Sequence, residues 1–205
     1  IEKDERTKPV LNQLSNIAGE RMEINHVDAL RYNFAELKQL GLPVKVIANL
    51  PYNVGTELLL RWYKNIEIFE SFTLMFQKEV AQRICAKPSD KAYGRLSIIS
   101  HLLADCQILF EVPPTIFFPP PKVFSAIIQI TPLPKPRYDV DIDVLKQVTA
   151  SAFSGKRKSI RNSLKNILGD EVGAVLEKLN IDSNLRAENL SVEQYCQIAN
   201  EVKIS

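Results

Sequence analysis

The 205-residue chain is poor in glycine and cysteine and has no long apolar run. Its 7 glycines are scattered and no Gly-x-Gly occurs, so a glycine-rich cofactor loop is absent from this sequence. Cys85, Cys106 and Cys196 are odd in number and far apart, and neither they nor His26 and His101 have the spacing of a metal site or a disulfide framework. No metal is expected, and the thiols read as buried or idle. No apolar run approaches the roughly 20 residues needed to span a bilayer. The opening Ile1-Glu2-Lys3-Asp4 lacks the cationic and apolar regions of a signal peptide. A cytoplasmic protein with no membrane partner is the expectation. The formal net charge of +2 is too small to establish a nucleic-acid partner, so the placement of charge must carry that argument.

What is present is enough apolar chain, 45% hydrophobic residues, to bury a core in one domain plus a smaller appendage. Short apolar runs alternate with stretches of helical spacing, the pattern of an α/β sheet with crossover helices. Strands are expected at Met22 to Val27, Val44 to Leu50, Phe72 to Phe76, Ile108 to Val112 and Ser125 to Ile130. Helices are expected at Glu5 to Ile17, Thr56 to Tyr63, Lys78 to Ala86 and Arg95 to Ala104. The last two strands are joined only by the proline-rich stretch Pro113 to Lys122, which predicts an antiparallel hairpin. Alternating prolines from Thr131 to Arg137 then mark a stiff connection and a domain boundary, giving domains 1–137 and 138–205. Helical periodicity fills the second part at Ile142 to Phe153, Arg157 to Leu168, Glu171 to Leu179 and Val192 to Val202, broken by Gly155, Gly169 and Asn180.

Ligands of open α/β sheets bind beyond the carboxyl ends of the strands. Asn49-Leu50-Pro51-Tyr52 stands there, although Asn-x-Pro is also ordinary turn chemistry and Tyr52 could be a half-buried ring. The segment Phe117-Phe118-Pro119-Pro120-Pro121-Lys122-Val123-Phe124-Ser125 is either a second functional loop or a stiff connection with stray aromatics. On the helix from Arg157 to Leu168, apolar Ile160, Leu164, Ile167 and Leu168 lie on one side, while Lys158, Arg161 and Lys165 fall within a sector of roughly 60° on another. Lys156 and Arg157 extend that stripe and no acidic residue balances it, which favours a phosphate-contacting surface over a merely solvated face.

Together the two loops resemble those of the bacterial rRNA adenine N6,N6-dimethyltransferase family, through Asn-Leu-Pro-Tyr at Asn49 to Tyr52 and a Phe-x-Pro-x-Pro-x-Val-x-Ser pattern at Phe117 to Ser125. Gln77 to Val80, Ala92 to Ser97, Glu111 to Pro114, Arg157 to Leu164 and Arg186 to Ser191 agree with it, so the resemblance covers essentially the whole chain. It implies an α/β, Rossmann-like S-adenosylmethionine-dependent methyltransferase sheet with a small all-helical C-terminal domain that binds rRNA. Tyr52 and Phe117 are then expected to hold a flipped adenine between them. The Asn49 side-chain oxygen and the Leu50 carbonyl would accept from its amine, and Asn49 would also contact the cofactor. Glu2 maps to the acidic residue that takes the ribose hydroxyls of the cofactor, though by itself it could be a solvated terminal charge. Asp28, with the Ala29 backbone, is placed for the cofactor's adenine, though a turn or N-cap Asp would look the same. Arg186 and Glu188 could pair to hold the helices together.

The resemblance further implies a monomer acting on two adjacent adenines near the 3′ end of small-subunit rRNA within an assembling subunit. It implies an N-terminally truncated chain, since the sequence starts with Ile and the family's first strand and glycine-rich loop are missing. Cofactor affinity, activity and stability are expected to be reduced accordingly. Two other readings stay open here: a non-catalytic rRNA-binding or assembly factor, and the sister branch that methylates large-subunit rRNA and confers macrolide resistance. The segments at Arg157 to Leu164 and Arg186 to Ser191 favour the small-subunit branch.

Overall fold

A computed structural model of the chain describes residues 1–41, 43–155 and 157–202. Four strands form one sheet: β1 (Val44–Asn49), β2 (Phe69–Gln77), β3 (Ala104–Val112) and β4 (Ser125–Pro132), in spatial order β1-β2-β4-β3. β1 and β2 run parallel, which requires a crossover, and α2 (Gly55–Trp62) with a 3-10 stretch at Tyr63–Ile68 supplies it. β4 is antiparallel to both β2 and β3, so the expected hairpin is present and the sheet is mixed. Alternation along β2 and β4 buries Phe72, Leu74, Phe76, Ala126, Ile128 and Ile130. α3 (Lys78–Cys85) and α4 (Arg95–Leu103) join β2 to β3 and pack on that apolar surface.

Two expectations near the N-terminus need correction. Met22–Val27 is not a strand: its residues are irregular, and the nearest thing to a ladder is one bond from the Glu2 N–H to the Asn25 carbonyl, 3.0 Å. Alternating side chains make a strand only beside a partner backbone, and this segment has no regular one among the described residues. The helix foreseen from Glu5 begins instead as a 3-10 turn at Glu5–Thr7, and α1 (Lys8–Ala18) follows with Pro9 in its first turn, where a missing N–H costs nothing. A 3-10 stretch at Phe34–Leu40, not foreseen, leads toward β1.

Beyond the proline-rich connection come α5 (Ile142–Ala152), α6 (Ile160–Leu168), α7 (Val172–Lys178) and α8 (Val192–Glu201). Side chains of Asp141, Ser159 and Ser191 cap α5, α6 and α8 by accepting from N–H groups of the first turn. Leu145, Val148, Ile160, Leu164, Tyr195 and Ile198 are buried in a core continuous with that of the sheet. The Arg137 N–H donates to the Leu102 carbonyl (2.9 Å) and the Ser89 N–H to the Glu188 carbonyl (2.7 Å), tying the helical layer to α4 and to the loop after α3. No ion pair joins Arg186 to Glu188 among the described residues; Arg186 instead bridges to Ser159. Among the described residues no helix is long and apolar enough to cross a membrane.

Candidate active site

β1 delivers Asn49 to the end of the sheet, and the chain turns sharply there because Pro51 cannot continue a ladder. The Pro51 carbonyl then accepts from the N–H groups of Val54 and Gly55, both at 3.1 Å, which starts α2 at once. Leu50 is buried beneath the turn. Gly55 is required by close approach: a Cβ there would lie 2.8 Å from the buried Phe76 ring and 3.5 Å from the Leu50 Cβ. Sequence reasoning missed this glycine, and no local pattern marks it, since its neighbour comes from β2.

A cavity of about 780 Å³ opens beside β1, and Glu2, Asp28, Ala29, Asn49 and Leu50 all lie in its wall. The Asn49 amide is exposed and has no hydrogen-bond partner among the described residues. Glu2 is half-buried and one of its carboxylate oxygens, Oε1, accepts from the Asp4 N–H at 2.7 Å. Asp28 accepts from the Leu30 N–H (3.0 Å) and from Lys3 Nζ (2.7 Å), and the Lys3 ammonium holds its carboxyl below the usual carboxylate range. Asp28 is therefore an acceptor already engaged by a cation, a partner that sequence reasoning did not foresee. The deep end of the cavity is apolar, with Phe34, Val46, Phe69 and Trp62. Trp62 Nε1 is buried and has no hydrogen-bond partner among the described residues, but it is closed off from the cavity.

Tyr52 and Phe117 are not in that wall. Tyr52 is half-buried, with its hydroxyl 2.6 Å from the hydroxyl of the fully buried Ser125. Ser125 sits opposite both Gln77 and Val112 in the sheet, so Tyr52 is pinned to the end of three strands. Phe117 is also half-buried, at the end of a 3-10 turn (Pro114–Ile116) in the loop that leads into β4, and its ring is not stacked on Tyr52. The role of Ser125 as the anchor of Tyr52 was not foreseen, although the residue closes the motif.

The basic group is only partly as expected. α6 starts at Ile160, so Arg157 and Lys158 belong to the turn before it and only Arg161 and Lys165 share an exposed helical face. Ser159, extended and bridged to Arg186, prevents the earlier start. Lys156 lies outside the described residues. Arg161 and Lys165 border a polar hollow of about 460 Å³ that also contains Asp170, an acidic neighbour that the helix pattern alone does not show. None of Arg157, Lys158, Arg161 and Lys165 is in an ion pair among the described residues.

The sequence profile of the family described as ribosomal RNA adenine dimethylase matches residues 1–203. The chain belongs to that family. A protein named ribosomal RNA small subunit methyltransferase A from Wolbachia pipientis subsp. Culex pipiens is 45% identical over 202 residues, which are 98% of this chain and 75% of that protein. One of the same name from Ehrlichia ruminantium is 46% identical over 200 residues, again 98% and 75%. The crystal structure of a dimethyladenosine transferase from Plasmodium falciparum matches with a TM-score of 0.80 at 24% identity, covering 96% of this chain and 78% of that one, a likeness of fold. The expectations of an α/β methyltransferase sheet, of enzymatic rRNA adenine dimethylation and of S-adenosylmethionine as methyl source therefore hold.

The cavity suits that cofactor. Its volume lies within the roughly 300–1,000 Å³ of small-molecule sites. Carboxylate acceptors of Glu2 and Asp28 and the Asn49 amide stand in its wall beside apolar and aromatic groups.

Proposed function

We propose that this dimethyltransferase modifies small-subunit rRNA, methylating the N6 amines of two adjacent adenines near its 3′ end during subunit assembly, and that it works as a cytoplasmic monomer. The names of relatives 45–46% identical over nearly the whole chain support the small-subunit choice over the large-subunit branch. Residues 1–137 carry the catalysis and residues 138–205 the helical rRNA-binding part.

The observation that carries the site is the Asn49 amide at the end of β1, without a hydrogen-bond partner among the described residues and in the wall of the cavity that also holds Glu2, Asp28 and Ala29. Glu2 takes the ribose hydroxyls of the cofactor, and Asp28 with the Ala29 backbone its adenine. The cofactor supplies an electrophilic methyl group on a sulfonium whose sulfur leaves as a neutral thioether. Asn49 Oδ1 and the Leu50 carbonyl accept the two N–H bonds of the target amine, which turns a lone pair otherwise delocalised into the ring toward the methyl carbon. As the N–C bond forms, both acceptors stabilise the positive charge on nitrogen, and a proton then leaves to water. Tyr52 and Phe117 hold the flipped base, and stacking worth roughly 1–3 kcal/mol per base helps offset its removal from the helix. Lys156, Arg157, Lys158, Arg161 and Lys165 contact phosphates of the A-form RNA, which is read mainly through its backbone and shape.

The test is methyl transfer from labelled cofactor to small and large subunits, both lacking the modification, with the complete protein. Asn49→Ala is expected to fold normally and to lose at least about tenfold in turnover, the equivalent of roughly 1.4 kcal/mol. Near-normal turnover would remove Asn49 from the chemistry, and label confined to large-subunit rRNA would overturn the substrate.

A further inference from the structure

Loop 113–124 displays more apolar surface than a pocket at Phe117 requires. Val112 and Ser125, at its two ends, are paired across β3 and β4, and Ser125 also holds Tyr52, so the loop is fixed beside the proposed base pocket. Within it Ile116, Val123 and Phe124 are exposed, and Phe118 stands wholly in solvent at 100% exposure while its neighbour Phe117 is half-buried. Pro113, Pro114, Pro119, Pro120 and Pro121 each fix a backbone angle, so the ring is presented outward and cannot readily fold back onto the protein. Lys122 is exposed in the same loop, while Lys78, whose Nζ lies 5.9 Å from the Phe124 ring centre, is paired with Glu111.

Extracting a base leaves a gap in the RNA stack, and apolar side chains commonly fill such gaps. We propose that Phe118 stacks on the nucleotide next to the target adenine and occupies the space the flipped base vacates. The inference rests on the reading of Tyr52 and Phe117 as the target-base pocket: one aromatic of the Phe117-Phe118 pair then faces the extracted base and the other the base left behind. The exposed Lys122 ammonium attracts a phosphate of the neighbouring strand, which favours RNA over an apolar protein surface as the occupant.

The test uses the complete protein and small subunits carrying 2-aminopurine at the adenine beside the one to be methylated. This base lacks the 6-amino group, so it accepts no methyl, and its fluorescence reports stacking. Phe118→Ala is expected to lower kcat/KM for subunits roughly tenfold without changing cofactor affinity, with Phe118→Leu close to it and Phe118→Trp close to wild type. The flanking probe should brighten with Phe118→Ala and dim by direct ring contact with Phe118→Trp. Unchanged turnover of Phe118→Ala would overturn the proposal. So would lost turnover with the same probe fluorescence in every variant, which would assign the ring to a protein of the subunit. Failure of the wild-type protein to methylate the subunits would instead sink the functional reading, and this inference with it.

Discussion

The Tyr52 hydroxyl changes what its ring is expected to do. With stacking alone in view, Tyr52→Phe would be nearly silent, but the 2.6 Å contact with buried Ser125 orients the ring, so the variant should be several times less active. Ser125→Ala should match it, and the double variant should be no worse than either single one, a coupling of about 0.5–1.5 kcal/mol in activity measured as a double-mutant cycle. Phe117→Ala, which deletes a stacking face, should be more severe than any of the three. Additive losses from Tyr52 and Ser125 would mean that the two hydroxyls act separately. The nearness of Asn49, Leu50, Glu2, Asp28 and Ala29 to one cavity was legible in part: Asn49 and Leu50 follow a strand, whereas Glu2, Asp28 and Ala29 were singled out chiefly through the resemblance. Lys3 beside Asp28 and Ser125 beside Tyr52 were not, since those partners are 25 and 73 residues away along the chain.

Elements explain where the site's rigidity comes from. α2 can start directly after the Asn49 turn because Gly55 lets the backbone pass the Phe76 ring. Gly55→Ala gains about 0.5–1 kcal/mol of backbone entropy but overpacks a buried ring, at a cost of about 1–3 kcal/mol. Overpacking should win, so the urea midpoint is expected to fall with an unchanged slope; a raised midpoint would show that Phe76 yields. α6 carries a second prediction. Its later start leaves Arg161 and Lys165 as the pair on one face, so charge reversal at both should lower the slope of log RNA affinity against log salt by somewhat under one unit per lost contact. Cofactor affinity should stay the same. An unchanged slope would make this a solvated face, with Asp170 as its local balance.

At the scale of the whole molecule, the three thiols report on the continuous core. Burial pushes Cys85 up to about 11, Cys106 to about 12 and Cys196 to about 11, from an ordinary value of 9.0. The fold therefore prefers them protonated. Their contribution to stability is complete below the ordinary value of 9.0 that the unfolded chain keeps, and is lost as pH rises through 11 to 12. Denaturation followed from pH 8 to pH 11 should show stability falling on the alkaline side, less steeply when all three are replaced by Ala. Alkylation at pH 8 should be slow in the native protein and fast in urea. Rapid native labelling would contradict the buried or idle role expected of these residues.

By itself the sequence determined the alternation of strands and helices, the hairpin, the helical C-terminal part and the family, because each is written in local periodicity, turn chemistry or short ordered motifs. Only the tertiary structure decided that Met22–Val27 stays irregular, that α6 begins at Ile160, that Lys3 engages Asp28, and that Ser125 anchors Tyr52. These depend on which backbone or side chain arrives from elsewhere in the chain. A strand needs a partner, a cap competes with one more helical turn, and a charge or hydroxyl is satisfied by whatever the fold brings within hydrogen-bond reach.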